Sequence, residues 1–269
     1  MTEMATKTAE VILLGTGTSV GVPALGCDCD VCTSENPRNN RTRCSIAIRS
    51  TAGTILIDTA PDMRAQLLRE KIPLVHAVVY THEHADHLFG LDDLRLFPFR
   101  LGTPVPLFCE TNVEARIRKS YDYAFTEREQ THPGATPQLE FETINESDPF
   151  TVLDVEFLPL RLSHGPHFDV LGFRIGDFAY CTDTNLIPPT SLERLAGVDT
   201  LVIDALRKKP HPTHFSVGEA CEIAEQLKPR QTFLTHVCHD LEHEETNASL
   251  PAGIELAYDG LRLTINLPS

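Results

Sequence analysis

Thr81-His82-Glu83-His84-Ala85-Asp86-His87 is the stretch that decides the fold, and it directly follows the apolar run Ala77-Val78-Val79-Tyr80. Three imidazoles and a carboxylate stand within six residues, and all of them are metal-binding side chains. His82 and His84 alternate, as they would on extended backbone leaving a strand, so both rings can reach one ion from the same side. Solvated loops draw instead on Ser, Gly, Asn and Asp. The pattern therefore predicts a metal site at a strand end.

Asp86 and His87 extend this motif in a second direction. Because they are adjacent, their side chains point differently and could serve a second ion beside the first. Residues 87–96 carry apolar side chains at helical spacing, with acids in the early turns. The sequence therefore predicts a helix that begins here and continues through residue 96.

Three later apolar runs also end in a residue that can bind a metal. Residues 157–162 lead to His164, residues 178–181 lead to Asp183, and residues 232–234 lead to His236. Strand ends on a rigid scaffold are common positions for a functional site. One loop cannot close a two-metal site, and these runs supply the further ligands it needs.

With these residues in place, the chain resembles the metallo-β-lactamase-fold hydrolases. Their HxHxDH signature is matched by residues 82–87, and their later ligands are matched by the three residues that follow the apolar runs. The resemblance covers nearly the whole chain. It implies an α/β fold, the four-layer αββα sandwich, formed by a single domain over residues 1–269.

The resemblance also implies how two divalent ions are bound. One ion would take His82, His84 and His164, the other would take Asp86, His87 and His236, and Asp183 would bridge them. Asp58, which follows the strand-like residues 54–57, matches an aspartate that orients ligands without binding the ions.

A glycine-rich loop at residues 14–23 leads to Cys27, Cys29 and Cys32. The three thiols are too close together for a disulfide framework and suit one tetrahedral ion. Together with residues 235–239, they resemble the PhnP-type branch of phosphodiesterases, which is related to a phosphoribosyl cyclic phosphodiesterase. The branch implies a structural zinc held by the three cysteines and His239, with a zinc-binding loop insertion at residues 26–44.

The same branch has a further histidine, matched here by His214. The resemblance implies that it faces the substrate and protonates the leaving oxygen, a role typically worth ~10²- to 10⁴-fold in rate. His211 is a rival, and spacing alone does not separate the two. In a third interpretation both are polar loop residues, and His214 caps a helix predicted over residues 217–227.

The implied reaction is phosphodiester hydrolysis by a hydroxide bound to both ions, with Asp86 and His214 as catalytic residues. Imidazole and carboxylate ligands suit Zn²⁺, Mn²⁺ or Fe²⁺ equally, whereas the thiolate-rich site should take zinc. The cofactors are therefore expected to be two divalent ions in the active site and one structural zinc.

Composition constrains the substrate and the location. The 269-residue chain has 23 Lys and Arg against 38 Asp and Glu, for a net charge of −15. This favours a small phosphodiester over a long nucleic acid. Residues 1–10 have no apolar signal core and no stretch could span a membrane, so a cytoplasmic protein is expected. The resemblance makes a homodimer plausible.

Four of the five remaining cysteines are expected to bind no metal. In a reducing compartment, Cys44, Cys109, Cys181 and Cys221 are expected to be buried small hydrophobic residues. Cys238 lies between His236 and His239 and stays open between a ligand and a loop side chain.

Three function classes are compatible with the pattern. The first is a phosphodiesterase for small or cyclic diesters. The second is a tRNase Z-like ribonuclease, which would normally carry a long basic arm between the positions of His164 and Asp183; the stretch here is short. The third is a thioester or lactone hydrolase of the same fold.

Elsewhere, residues 112–125 are predicted to form a helix, residues 126–137 a surface loop, and residues 139–155 strands or loop.

Overall fold

A computed structural model of the chain describes residues 7–126, 132 and 134–268. Part of the N-terminal stretch 1–10 and part of the surface loop predicted at 126–137 lie outside these described residues. The strands are β1 Thr8–Gly15, β2 Ser45–Arg49, β3 Thr54–Ile57, β4 Ala77–Val79, β5 Val105–Cys109, β6 Leu139–Thr143, β7 Phe150–Val152, β8 Val155–Ser163, β9 Asp169–Ile175, β10 Phe178–Cys181, β11 Thr200–Asp204, β12 Gln231–Thr235, β13 Ile254–Leu256 and β14 Arg262–Asn266. The α-helices are α1 Met63–Arg69, α2 Ala85–Leu88, α3 Pro98–Leu101, α4 Thr111–Ser120, α5 Pro189–Leu195, α6 Val217–Leu227 and α7 His243–Ser249.

The strands form two sheets of similar construction. The first has the order β14-β1-β2-β3-β4-β5-β6, and the second has the order β13-β12-β11-β10-β9-β8-β7. Strands β3 to β6 run parallel to one another, as do strands β10 to β13. The two N-terminal strands of each sheet are joined by antiparallel pairing.

Three apolar cores hold the layers together. The central core packs side chains of both sheets face to face, including Val11 and Ile46 from the first sheet and Phe173 from the second. A second core joins the first sheet to helices α1 and α4. A third core joins the second sheet to helices α5 and α6. This helix–sheet–sheet–helix arrangement is the predicted four-layer αββα sandwich, and the α/β fold class is confirmed.

The topology brings the predicted site residues to one edge of the sandwich. Asp58, His164 and His236 directly follow β3, β8 and β12, and Asp204 is the last residue of β11. Parallel strands present their carboxyl ends at the same edge of a sheet, and such edges are common positions for binding sites. Thr81 connects the two sheets there, because its carbonyl oxygen accepts a 3.0 Å hydrogen bond from Leu171 N on β9.

The helix expected through residues 87–96 is interrupted. Helix α2 ends at Leu88, and a 3₁₀ helix follows at Leu91–Leu96. Gly90 causes the break: its N–H donates to Thr59 O, and a Cβ at this position would lie 2.1 Å from Ala60 O. Close packing against this neighbouring loop therefore overrides the local helical spacing.

The other predicted segments agree with the structure in outline. Helix α4 and the 3₁₀ helix Asp122–Phe125 fill most of the helix predicted at 112–125, and strands β6 and β7 lie within residues 139–155. Among the described residues, we find no helix with the length and apolar character needed to cross a membrane.

Candidate metal centre

His82, His84 and His164 form the first cluster of possible metal ligands. One nitrogen of each ring lies within 4.8 Å of the others. The ring of His82 is oriented by Thr81, whose Oγ1 lies 2.9 Å from His82 Nδ1. His164 Nδ1 donates to Thr213 O at 2.8 Å. In both rings Nδ1 is therefore engaged by the protein, and Nε2 is left to face the centre of the cluster.

Asp86, His87, Asp183 and His236 form the second cluster. Asp183 lies between the two histidines, since its Oδ2 is 3.2 Å from His87 Nε2 and its Oδ1 is 3.2 Å from His236 Nε2. Asp86 Oδ2 is 3.3 Å from His87 Nε2 and 3.9 Å from His236 Nε2. Two carboxylates and two imidazoles thus converge on one buried point.

Asp58 lies behind this second cluster and touches it only through His87. His87 Nδ1 donates to Asp58 Oδ2 at 2.7 Å. The carboxylate also accepts hydrogen bonds from the backbone N–H and the hydroxyl of Thr81, both at 2.8 Å. The sequence prediction for Asp58 as an orienting residue fits this geometry, because it fixes both the His87 ring and the start of the motif loop.

Three of these residues have left-handed backbone conformations. Asp58, Asp183 and His236 have φ values of 65°, 53° and 59°. This region is uncommon for residues with a Cβ, and such strain is concentrated at functional sites. In each case the chain turns just after a strand; Asp183 and His236 thereby join the second cluster, and Asp58 reaches the back of the His87 ring.

Four buried ring nitrogens in the two clusters indicate whether these residues could bind metal ions. His82 Nε2, His87 Nε2 and both ring nitrogens of His236 are buried, and they lack a hydrogen-bond partner among the described residues. Buried polar atoms are nearly always paired, so unpaired ring nitrogens in both clusters are what a pair of metal sites would leave. The residues present therefore fit divalent ions in both clusters.

The electrostatics of the centre differ between the two clusters. Burial lowers the pKa of His82 well below its ordinary value, and burial likewise lowers the pKa of His164. Burial also opposes a charge on His236, but Asp183 and Asp86 outweigh it and raise the pKa of His236 to about 9. The carboxylates of the second cluster thus create a strong demand for positive charge, which a metal cation would satisfy by displacing protons.

His214 lies at the side of both clusters. Its ring centroid is 4.7 Å from that of His164 and 4.5 Å from that of His236, and the residue is buried. His214 Nδ1 donates to Asp204 Oδ2 at 2.7 Å. Its nitrogen also falls within two groups that could themselves bind an ion, one with His164 and Asp183 and one with Asp204 and His236.

The structure tests one of the three interpretations of His211 and His214, the one in which His214 caps a helix. His211 is half-buried, 5.2 Å from His214 between ring centroids, and its Nδ1 is within 3.2 Å of Thr213 Oγ1. Helix α6 is capped by Ser216, which forms a capping box with Glu219. The interpretation that His214 caps this helix is therefore wrong.

Cys27, Cys29, Cys32 and His239 come together as a separate cluster. Their sulfurs lie 3.2, 3.7 and 3.3 Å from His239 Nδ1, in that order. The backbone N–H of Cys32 lowers the pKa of the Cys29 thiol, with burial opposing it. Three thiols and one imidazole around a common point match the ligand types and number of a closed zinc site.

The Cys3His cluster is mechanically joined to the active-site edge. His239 lies three residues after His236, and Val237 N donates to Thr16 O in the glycine-rich loop. Arg41 is fully buried, and its guanidinium donates to Cys238 O and Leu241 O. The same short segment therefore carries a ligand of each centre and is bound by the N-terminal loop on both sides.

Asp204 is a candidate site residue to which the sequence assigned no role, and the structure pairs it with His214. The sequence feature that could have identified it is its position at the end of an apolar strand, a position similar to that of Asp58. Among the other cysteines, Cys44, Cys109 and Cys181 are buried as expected, but Cys221 is only half-buried. Cys238 joins none of the possible metal-binding groups formed by the described residues, and its Sγ accepts a hydrogen bond from Asp240 N.

A family model described as a beta-lactamase superfamily domain matches residues 53–237. Among solved structures, a new diphosphatase from the PhnP family is 43% identical, with a TM-score of 0.90, over 97% of this chain and 98% of that chain. The short form of human tRNase Z shares the fold at 17% identity and a TM-score of 0.66, over 97% of this chain and 100% of that chain.

Curated relatives are longer than this chain. A protein named octanoyltransferase from Porphyromonas gingivalis is 40% identical over 258 residues, which are 95% of this chain and 51% of that protein. Coenzyme PQQ synthesis protein B from Methylorubrum populi is 31% identical over 121 residues, which are 40% of this chain and 39% of that protein. The chain thus spans about half the length of the first relative and less of the second.

Proposed function

The chain belongs to the β-lactamase superfamily and to its PhnP-type branch, and from this premise we propose that it is a metal-dependent phosphodiesterase for small phosphodiesters. The observation that carries the proposal is the pair of adjoining clusters, with the carboxylate of Asp183 between His87 and His236. The 43% identity to a PhnP-family diphosphatase, over 97% of the chain, supports hydrolysis at phosphorus over hydrolysis of a thioester or lactone.

We assign the ligands as the sequence predicted them. His82, His84 and His164 would hold one divalent ion, Asp86, His87 and His236 would hold another, and Asp183 would contact both. When bound, the ions supply Lewis-acid stabilisation of phosphoryl charge and a water of lowered pKa. Zinc, manganese and iron all suit these ligands, and a zinc ion suits the Cys3His cluster.

His214 is proposed as the residue that gives a proton to the leaving oxygen. Its Nδ1–H is committed to Asp204, so Nε2 is the atom available to the substrate. The buried carboxylate fixes the ring orientation and stabilises the protonated imidazole, as an aspartate does for a catalytic histidine in hydrolases. His211 lacks such a carboxylate partner among the hydrogen bonds of the described residues, which favours His214 for this role.

Two other functions suggested by relatives are less well supported. The stretch between His164 and Asp183 is too short for a long tRNA-binding arm, because it has 18 residues and β9 and β10 take up 11 of them. We do not propose octanoyl transfer for this chain, because the match covers only 51% of the protein named octanoyltransferase. A second candidate is hydrolysis of a diphosphate linkage, which the description of the PhnP-family relative favours.

The test is diester hydrolysis by protein that has been stripped of metal and reloaded with Mn²⁺ or Zn²⁺. Bis(4-nitrophenyl) phosphate and a dinucleoside diphosphate would be compared, using wild type, His82→Ala and His76→Ala. His76 serves as the matched control because it joins none of the possible metal-binding groups of the described residues.

We expect metal-dependent cleavage that is lost in His82→Ala and retained in His76→Ala. Bound metal should amount to about three ions per chain by mass spectrometry, two in the active site and one structural. A fully metallated protein that cleaves neither the phosphodiester nor the diphosphate but cleaves a thioester or lactone would refute the proposal.

A further inference from the structure

Phe168 is a half-exposed aromatic residue beside the first ligand cluster. It lies in the short connection between β8 and β9, and 47% of the residue is exposed. Its ring centroid is 5.0 Å from that of His84, at an interplanar angle of 66°, and 6.5 Å from that of His164. Single exposed aromatic residues are common, but this one contacts two of the candidate metal ligands.

The position of this ring is fixed by the surrounding turn. His164 N donates to Phe168 O at 2.8 Å, and Gly165 N donates to Asn185 Oδ1 at 2.7 Å. Asn185 also donates through Nδ2 to Pro212 O at 3.2 Å. The turn is thus bound to the loops that carry Asp183 and His214, so the ring is held in place relative to the whole centre.

Phe168 also lines a cavity with a volume of about 380 Å³. Glu83, Glu110, Glu146 and Asp169 line the same cavity, whereas Arg161 is its one lysine or arginine. The cavity is within the ~300–1,000 Å³ range of small-molecule sites, so it has room for a group of nucleoside size.

The positive charge of Arg161 is already neutralised. Its Nη1 and Nη2 donate to the two carboxylate oxygens of Glu110 at 2.9 and 2.5 Å, and its Nε donates to Glu146 at 2.5 Å. The cavity therefore has an excess of carboxylates. It would repel a phosphate group but would accept hydrogen bonds from amino and hydroxyl groups.

We propose that Phe168 and this cavity form the subsite for the organic group of the substrate, and that this group is a nucleoside without a further phosphate. The base would stack on the Phe168 ring, a contact that every base can make, while the scissile phosphate lies at the metal clusters. The carboxylates would then favour a terminal nucleoside over a continuing nucleic acid strand. This inference rests on the proposed phosphodiesterase function.

The test uses two esters with the same 4-nitrophenolate leaving group, one of methyl phosphate and one of adenosine 5′-phosphate. We expect wild type to prefer the nucleoside ester. Phe168→Ala should lower the ratio of the two kcat/KM values by about 5- to 150-fold, the equivalent of ~1–3 kcal/mol of stacking. Leu186→Ala, at an exposed residue that pairs with Ser163 but does not line the cavity, should leave the ratio unchanged.

A second measurement tests the subsite without metal or catalysis. Saturation-transfer NMR with free adenosine and metal-free protein should show contact at the adenine protons in wild type and Leu186→Ala, and none in Phe168→Ala. If wild type cleaves neither ester but still binds adenosine, the proposed function fails while the subsite stands.

Three results would contradict the proposed nucleoside subsite. Equal losses on both esters in Phe168→Ala would mean that the ring only supports His84 and His164. Faster cleavage of 4-nitrophenyl phosphorylcholine than of the nucleoside ester would mean that the cavity selects cations. An added 3′-phosphate that leaves kcat/KM unchanged, in wild type and in Glu146→Gln alike, would contradict the assigned role of the carboxylates.

Discussion

Asp58→Asn and Asp204→Asn make the same chemical change at two carboxylates with nearly the same surroundings. Both aspartates are fully buried at the end of a strand, and each accepts a 2.7 Å hydrogen bond from a histidine Nδ1. The histidines differ in their proposed roles, because His87 is a metal ligand and His214 is a proton donor. The two variants should therefore lose activity for different reasons.

Asp58→Asn should weaken metal binding. Asp58 accepts three hydrogen bonds, and an asparagine offers one oxygen in place of two, so one of the donors would face an NH₂ group. Loss of such an orienting partner typically costs 10- to 100-fold in metal affinity, or about 1.4–2.8 kcal/mol. Asparagine tolerates the left-handed backbone, so the φ of 65° at this position should not add to the cost.

Asp204→Asn should leave metal binding unchanged and impair proton transfer. Without the carboxylate, the protonated form of His214 loses its partner, and esters with alkyl leaving groups should be cleaved ~10²- to 10⁴-fold more slowly. Esters of 4-nitrophenol should be affected far less, because nitrophenolate departs without a proton.

The assay measures metal dissociation constants by competition with a chromogenic chelator, and kcat for both ester types at saturating metal. Excess metal should restore the activity of Asp58→Asn but not that of Asp204→Asn. The reasoning is refuted if both variants lose metal equally, or if Asp204→Asn slows nitrophenyl and alkyl esters by the same factor. Loss of metal in Asp204→Asn would instead make His214 a ligand, as its nearness to both clusters permits.

Further predictions concern the Cys3His cluster and the stability of the chain. Cys32→Ser should release one metal ion per chain and lower the melting temperature, as counted by mass spectrometry and followed by circular dichroism. Gly90→Ala should destabilise the protein by ~1–3 kcal/mol, because the new Cβ would lie 2.1 Å from a backbone oxygen. Gly218→Ala on α6 meets no atom within 4 Å and should stabilise by ~1 kcal/mol; equal urea midpoints for the two glycine variants would contradict both expectations. Ser216→Ala should cost ~1 kcal/mol of unfolding free energy in the same urea assay while leaving diester cleavage unchanged, since it removes only the cap of α6.

The fold and the grouping of the candidate ligands were accessible from the sequence because each depends on local features. The HxHxDH motif occupies six consecutive positions, and the later ligand candidates each follow an apolar run. The resemblance to the PhnP-type branch is confirmed by the comparisons. The roles of the individual ligands stay predictions, although the structure brings them together at one edge.

Contacts between distant elements were not accessible in this way. The bond between Asp204 and His214 joins a strand to a loop, and no spacing in the sequence specifies which aspartate a histidine will meet. The break at Gly90 arises from packing against Ala60, which local helical periodicity does not describe. No feature of the sequence distinguishes Phe168 from other loop residues, because its contact with His84 depends on the turn after β8.

The Cys3His cluster joins residues that the ribosome produces far apart in time. Cys32 and His239 are separated by 207 positions, which at ~5–20 residues per second corresponds to about 10 to 40 s of translation. During that interval three reduced thiols wait without their fourth ligand and are open to oxidation or to a wrong metal. The yield of correctly metallated enzyme should therefore depend on the zinc and thiol status of the cell while the chain is being made.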